Sequence, residues 1–153
     1  MRAGKIDLTA AFDSSWYAND ETTQFLNSAL VNNAAVPFPD NGLAVALFYE
    51  PVEWLSLSAA VADAQADARE TGFNTAFHDE DYYFSVFEAK FSPVFADVSG
   101  ELGGAYRFGL WYDGQDKARL SNAGSSKQDD WGFYTTADQL ISKENTDPAD
   151  DQG

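Results

Sequence analysis

Arg107 and Trp111 stand four residues apart in the run from Ala105 to Asp113, so on an extended strand they share one face. A guanidinium beside a broad aromatic platform suits a ligand with apolar C–H faces and hydroxyl edges, as sugars have. The same two residues equally suit a structural role, with Arg107 paired to a carboxylate on its own face and Trp111 in an aromatic girdle at the strand end. Glu88 and Lys90 are successive positions of another strand face, where a cross-strand ion pair is expected in preference to ligand selection.

Other chemistries find little support. With no Cys, the chain has no disulfide, thiolate metal site, iron–sulfur cluster or Cys nucleophile. The single His78, in His78-Asp79-Glu80-Asp81, reads as a solvated acidic patch, and Asp113-Gly114-Gln115-Asp116 lacks the downstream Gly and Glu of a calcium loop. Ser125 and Ser126 lack a nearby base. Gly100, Gly103, Gly104 and Gly109 fall within a strand pattern with no helix after them, so close packing or a bend accounts for them better than phosphate binding. No catalytic residue, metal site or cofactor is expected, and the chain reads as a non-enzyme. Nine Lys and Arg against 25 Asp and Glu, a net charge of -16, argue against nucleic acid as a partner.

The elements that must position these residues are strands. At 153 residues the chain fits one domain, and 15% of it is aromatic, which favours β structure. Strand-like runs cover residues 2–8, 42–50, 54–63, 82–91, 101–113 and 131–142. Leu43, Val45, Leu47 and Tyr49 share a face, as do Leu55, Leu57, Ala59 and Val61, and Tyr106, Phe108, Leu110 and Tyr112. The runs at 82–91 and 131–142 carry aromatics on both faces, which leaves their register open.

Connections alternate in length. Glu50-Pro51-Val52-Glu53 and the segment 92–97 are short, whereas 9–41, 64–81 and 114–130 are long and polar. Antiparallel pairing then places every long loop at one end, as in outer-membrane barrels. The runs also match the roughly 9–11 residues with which a tilted strand crosses hydrocarbon. No stretch is long and apolar enough for a transmembrane helix, and no secretory leader follows Met1-Arg2-Ala3-Gly4-Lys5. One short helix is expected in the first long loop, capped by Asn19, favoured by Asp20 and Glu21, with Phe25, Leu26, Ala29 and Leu30 as its apolar face and an end near Asn32-Asn33. That loop either packs on a rim or folds inward.

Several segments resemble the bacterial outer-membrane carbohydrate-selective porins of the OprB type: Gly4-Lys5-Ile6-Asp7, the run from Tyr17 to Asn27, Val36-Pro37-Phe38-Pro39, Val61-Ala62-Asp63-Ala64, the run from Gly104 to Tyr112, and Gly132-Phe133-Tyr134 with Asp138-Gln139. The resemblance implies an all-β, antiparallel up-and-down transmembrane barrel of about sixteen strands. This chain, residues 1–153, would supply about six of them as an internal portion of one partial barrel domain. The implied activity is passive passage of mono- or oligosaccharides through a water-filled channel in the bacterial outer membrane, with lipid around it and monomer or homo-oligomer both open. With the apolar faces toward lipid, Ser56, Ser58, Glu88, Lys90, Arg107, Trp111, Tyr134 and Asp138 would line the channel. The competing expectation is a secreted or periplasmic β-sandwich that binds carbohydrate on a soluble face.

Overall fold

Period-two patterning is realised as one antiparallel meander in a computed structural model, which describes all residues except 21, 28–29, 68, 70, 72–80, 98–99, 120–123 and 144–153. The strands are β1 (Arg2–Ile6), β2 (Gly42–Val52), β3 (Leu55–Asp63), β4 (Tyr83–Phe91), β5 (Val94–Asp97), β6 (Gly100–Asp113), β7 (Lys117–Ala118), β8 (Ser126–Lys127) and β9 (Asp130–Gln139). Across the sheet the order is β1, β2, β3, β4, β6, with β9 on the far side of β6, and every pairing is antiparallel. β5 pairs with β6 in the register that β4 began: Phe91 faces Tyr106 and Val94 faces Gly103. The segment 92–97 is thus largely a continuation of the strand, interrupted only at Ser92-Pro93. A register shift between Tyr49 and Val52 accommodates Pro51, which cannot donate to the ladder.

The long connections 7–41, 64–82 and 114–129 lie at one end, as their lengths predict, and the last carries the small β7–β8 ladder. The barrel expectation is overturned. β1 pairs only with β2 and β9 only with β6, so the sheet is open at both edges and no barrel is closed among the described residues. These strands leave two edges whose N–H and C=O groups have no neighbouring strand. Nor is a two-sheet sandwich formed among the described residues, where the second layer over the large sheet is irregular chain.

The expected helix is also absent among the described residues, while its Glu21 and Ala29 lie outside them. The chain makes one turn, in which the Gln24 and Phe25 amides both donate to the Asp20 carbonyl. Side chains satisfy the neighbouring amides, with Gln24 Oε1 accepting from Asn19 and Asp20 and Asp20 Oδ1 accepting from Thr22. Propagating a helix needs a packed apolar face to offset its nucleation cost, yet Leu26 is 96% exposed. Hydrogen bonds from the Thr22 and Thr23 hydroxyls hold the Asp20 carboxyl down at about 2, against an ordinary 3.8. Since the folded value lies below the unfolded one, this carboxylate supports its turn fully above pH about 4 and loses that support as pH falls through about 2. The Thr22 and Thr23 amide resonances should shift over that range in the native protein and stay fixed in Asp20→Asn.

The two faces differ as the alternation requires. Leu47, Val61, Phe87, Phe108, Leu110 and Phe133 project from one face and are exposed. Near the short turns this face carries Trp54 stacked on Phe91, which meets Phe108 edge-on. On the other face the connection 7–41 folds back over the sheet, the inward arrangement of the two open for it. Leu8 and Phe12 are fully buried with Phe84, Val86 and the small Ala44, Ala46, Ala60 and Ala62, and Phe38 lies 5.6 Å from the Phe84 ring. Burial of Leu8, Phe12 and Phe84 contributes about 1.5–3 kcal/mol each.

Candidate functional site

Strand register brings the eight positions expected to line a channel onto one face, the covered one. Ser56 pairs with Lys90, Ser58 with Glu88, Lys90 with Arg107 and Ala105 with Asp138. Gly109 faces Tyr134, and Trp111 faces Gly132. These last two pairs interlock. A Cβ on Gly109 would sit 2.0 Å from the Tyr134 ring, and one on Gly132 would sit 2.7 Å from the Trp111 indole. Each aromatic ring therefore lies across the glycine opposite it, which is the close packing those glycines permit.

Tyr134 donates its hydroxyl to Glu88 at 2.7 Å, and Glu88 also accepts the Asp13 amide at 2.8 Å. Burial, reinforced by the Glu88 carboxylate, pushes the Tyr134 phenol well above its usual range, so it remains a donor. The cross-strand ion pair expected of Glu88 and Lys90 does not occur among the described residues: Glu88 is 4% exposed and finds its donors in Tyr134 and the loop. Arg107 pairs with Asp138 at 2.7 Å, both almost wholly buried, so the structural role open for this arginine is realised. Asp138 also accepts the Ser15 hydroxyl at 2.6 Å and the Trp16 amide at 3.4 Å. Arg107 Nε is the one buried side-chain polar atom without a partner among the described residues.

Asp13 is the residue that strand periodicity could not find. Its carboxylate accepts from the Thr136 hydroxyl and from the Asn33 amide, while its own amide reaches Glu88. Asn32 donates to the Asp13 carbonyl at 3.3 Å. Asp13 and Asn32 both take positive φ, 52° and 58°, a left-handed conformation in which Asp and Asn are enriched. That preference, in a long polar connection, was the only signal available.

Ser58, Glu88, Arg107, Tyr134 and Asp138 are buried, whereas Ser56, Lys90 and Trp111 are partly exposed on the same face. Lys117 lies over the Trp111 ring at 5.4 Å and pairs with Asp113 at 3.0 Å. The buried members thus dock the connection onto the sheet, and the others remain partly open to solvent. His78, Asp79 and Glu80 lie outside the described residues, and no group suited to a metal ion occurs among the described ones.

An antiparallel meander with one apolar face, one polar face and its long loops at a single end is a strand pattern that outer-membrane β proteins also show. The chain belongs to the carbohydrate-selective porin, OprB family, whose model matches residues 1–152. This is a family of transport proteins and not of enzymes, and membership suggests an outer-membrane context and hints at carbohydrate interaction. The chain is 33% identical over 116 residues to an uncharacterized protein of Aquifex aeolicus (strain VF5), a match that covers 70% of this chain and 38% of that protein. No solved structure gives a significant match.

Membership does not carry the channel with it. The described strands enclose no passage, and the face expected to line one is covered by the 7–41 connection. The expectation of a transmembrane barrel conducting sugars through this chain is corrected accordingly.

Proposed function

We propose that this chain binds carbohydrate on the polar face of its open sheet and does so at the bacterial outer membrane. The observation that carries the reading is the cross-strand pairing of Ser56 with Lys90, both partly exposed beside a buried and nearly fully hydrogen-bonded floor, with Trp111 partly exposed four residues farther along the same face. A floor of that kind holds its ligand groups in place before binding, which lowers the ordering cost of association. The Ser56 hydroxyl and the Lys90 ammonium offer hydrogen bonds of the kind that sugar hydroxyls accept and donate. The family match supports carbohydrate as the ligand class. The exposed apolar face, with Leu47, Phe87, Phe108, Leu110 and Phe133, supports the outer-membrane location and lipid as its neighbour.

Calorimetric titration of the detergent-solubilised chain tests this. Glucose and maltose should bind saturably, whereas polar non-sugar solutes of similar size should not. Lys90→Met should weaken the sugar by about tenfold, the loss of one charge-assisted hydrogen bond. Equal heats for sugars and non-sugars would sink the proposal.

A further inference from the structure

We infer that the same face carries a built saccharide subsite at its β6–β9 margin, formed by Trp16 and Tyr17 over the bare backbone of Gly103 and flanked by Glu101 and Lys143. The inference rests on the carbohydrate reading above and adds where a sugar ring sits. These residues line a cavity of about 390 Å³ together with Leu140. That volume lies at the low end of the roughly 300–1,000 Å³ range of small-molecule sites, which suits a mono- or disaccharide. Trp16 and Tyr17 are 59% and 60% exposed, so two rings adjacent in sequence stand open to solvent at this cavity.

Their placement is enforced from below. The Trp16 amide and the Ser15 hydroxyl both donate to Asp138, which Arg107 holds, and the Tyr17 amide donates to Ser15 Oγ at 3.2 Å. Gln24 Nε2 donates to the Trp16 carbonyl at 2.6 Å. The aromatic pair is therefore anchored through backbone contacts, which leaves the rings free to stack on a ligand. Gly103 belongs to β6, on the polar side of the sheet, and a Cβ built there meets nothing within 4 Å. Its carbonyl is already bonded to the Leu140 amide and to Gln139, so the strand edge is satisfied and the space above it is free of demands from the protein. Glu101 and Lys143 add an acceptor and a donor at the rim, which matches adjacent hydroxyls of a sugar.

The test follows the indole N–H signals of the four Trp residues in a nitrogen-15 spectrum of the detergent-solubilised chain. The Trp16 signal, identified by its loss in Trp16→Phe, should shift saturably with maltose. Gly103→Leu fills the cavity from an unstrained position and should abolish that shift, and Tyr17→Ala should weaken it at least tenfold. If maltose moves the Trp111 signal and leaves Trp16 unmoved, carbohydrate binding stands and this subsite is wrong. If the Trp16 signal responds to lipid or detergent exchange but not to sugar, the pair is an interfacial anchor and the inference fails. If no signal moves and no saturable sugar binding is measured, the carbohydrate reading and the subsite fall together.

Discussion

Arg107→Met is expected to destabilise the folded chain by about 3–5 kcal/mol, the cost of leaving a buried charge without its partner. Asp138 is 6% exposed and keeps only the Ser15 hydroxyl and the distant Trp16 amide once the guanidinium is gone. The penalty falls on the attachment of the 7–41 connection to the sheet, so local loosening of residues 13–17 should precede global unfolding. Pairing the change with Asp138→Asn should restore a substantial part of the loss, because the amide carries no charge and can still accept from Ser15. Denaturant unfolding in detergent, with hydrogen exchange at the Trp16 and Tyr17 amides, reads both effects. A loss below 1 kcal/mol, or no recovery in the double variant, would show that the pair contributes little.

Gly109→Ala should cost about 2–4 kcal/mol although it adds a single methyl, combining overpacking with a strained hydrogen bond. The added Cβ would stand 2.0 Å from Tyr134 Cζ and 2.6 Å from its hydroxyl oxygen. That ring has nowhere to go, being 3% exposed and held by Glu88 at 2.7 Å. Gly103→Ala is the internal comparison, because its Cβ enters open space, and it should remain within about 0.5 kcal/mol of the native chain. Truncating the ring in Tyr134→Ser should make Gly109→Ala nearly harmless, since the clash disappears with the ring. If Gly109→Ala and Gly103→Ala prove equally mild, the ring does not lie where the structure places it.

Both predictions concern contacts that join the strands to one another or to the loop above them, and the sequence foretold these unequally. Alternation of Leu43, Val45 and Leu47 with small residues reports a strand and its apolar face directly, because side-chain direction repeats every two residues whatever lies around it. The six expected strand runs accordingly correspond to β1, β2, β3, β4, β6 and β9, and the unequal connections fall at opposite ends. Even the mixed segment 82–91 resolves simply, with Phe84 and Val86 turned inward and Phe87 outward.

The candidate face was legible in its strand residues and opaque in its partners. Spacing alone put Glu88 with Lys90 and Arg107 with Trp111 on one face of their own strands, whereas the registers of 82–91 and 131–142 stayed open until the strands paired. That Arg107 would choose Asp138, and that Glu88 would accept from Tyr134 and Asp13, depends on register across strands and on a loop 75 residues away in sequence from Glu88. The helix expected near Asn19 shows the same limit, because a local apolar pattern becomes a helix only when tertiary packing covers it. Periodicity is a property of neighbouring residues, and by itself it determined the strands, their faces and the distribution of the loops. Whether the sheet closes, where the long connection lies and which buried charges meet were decided by contacts between distant segments, whose energies no local pattern contains.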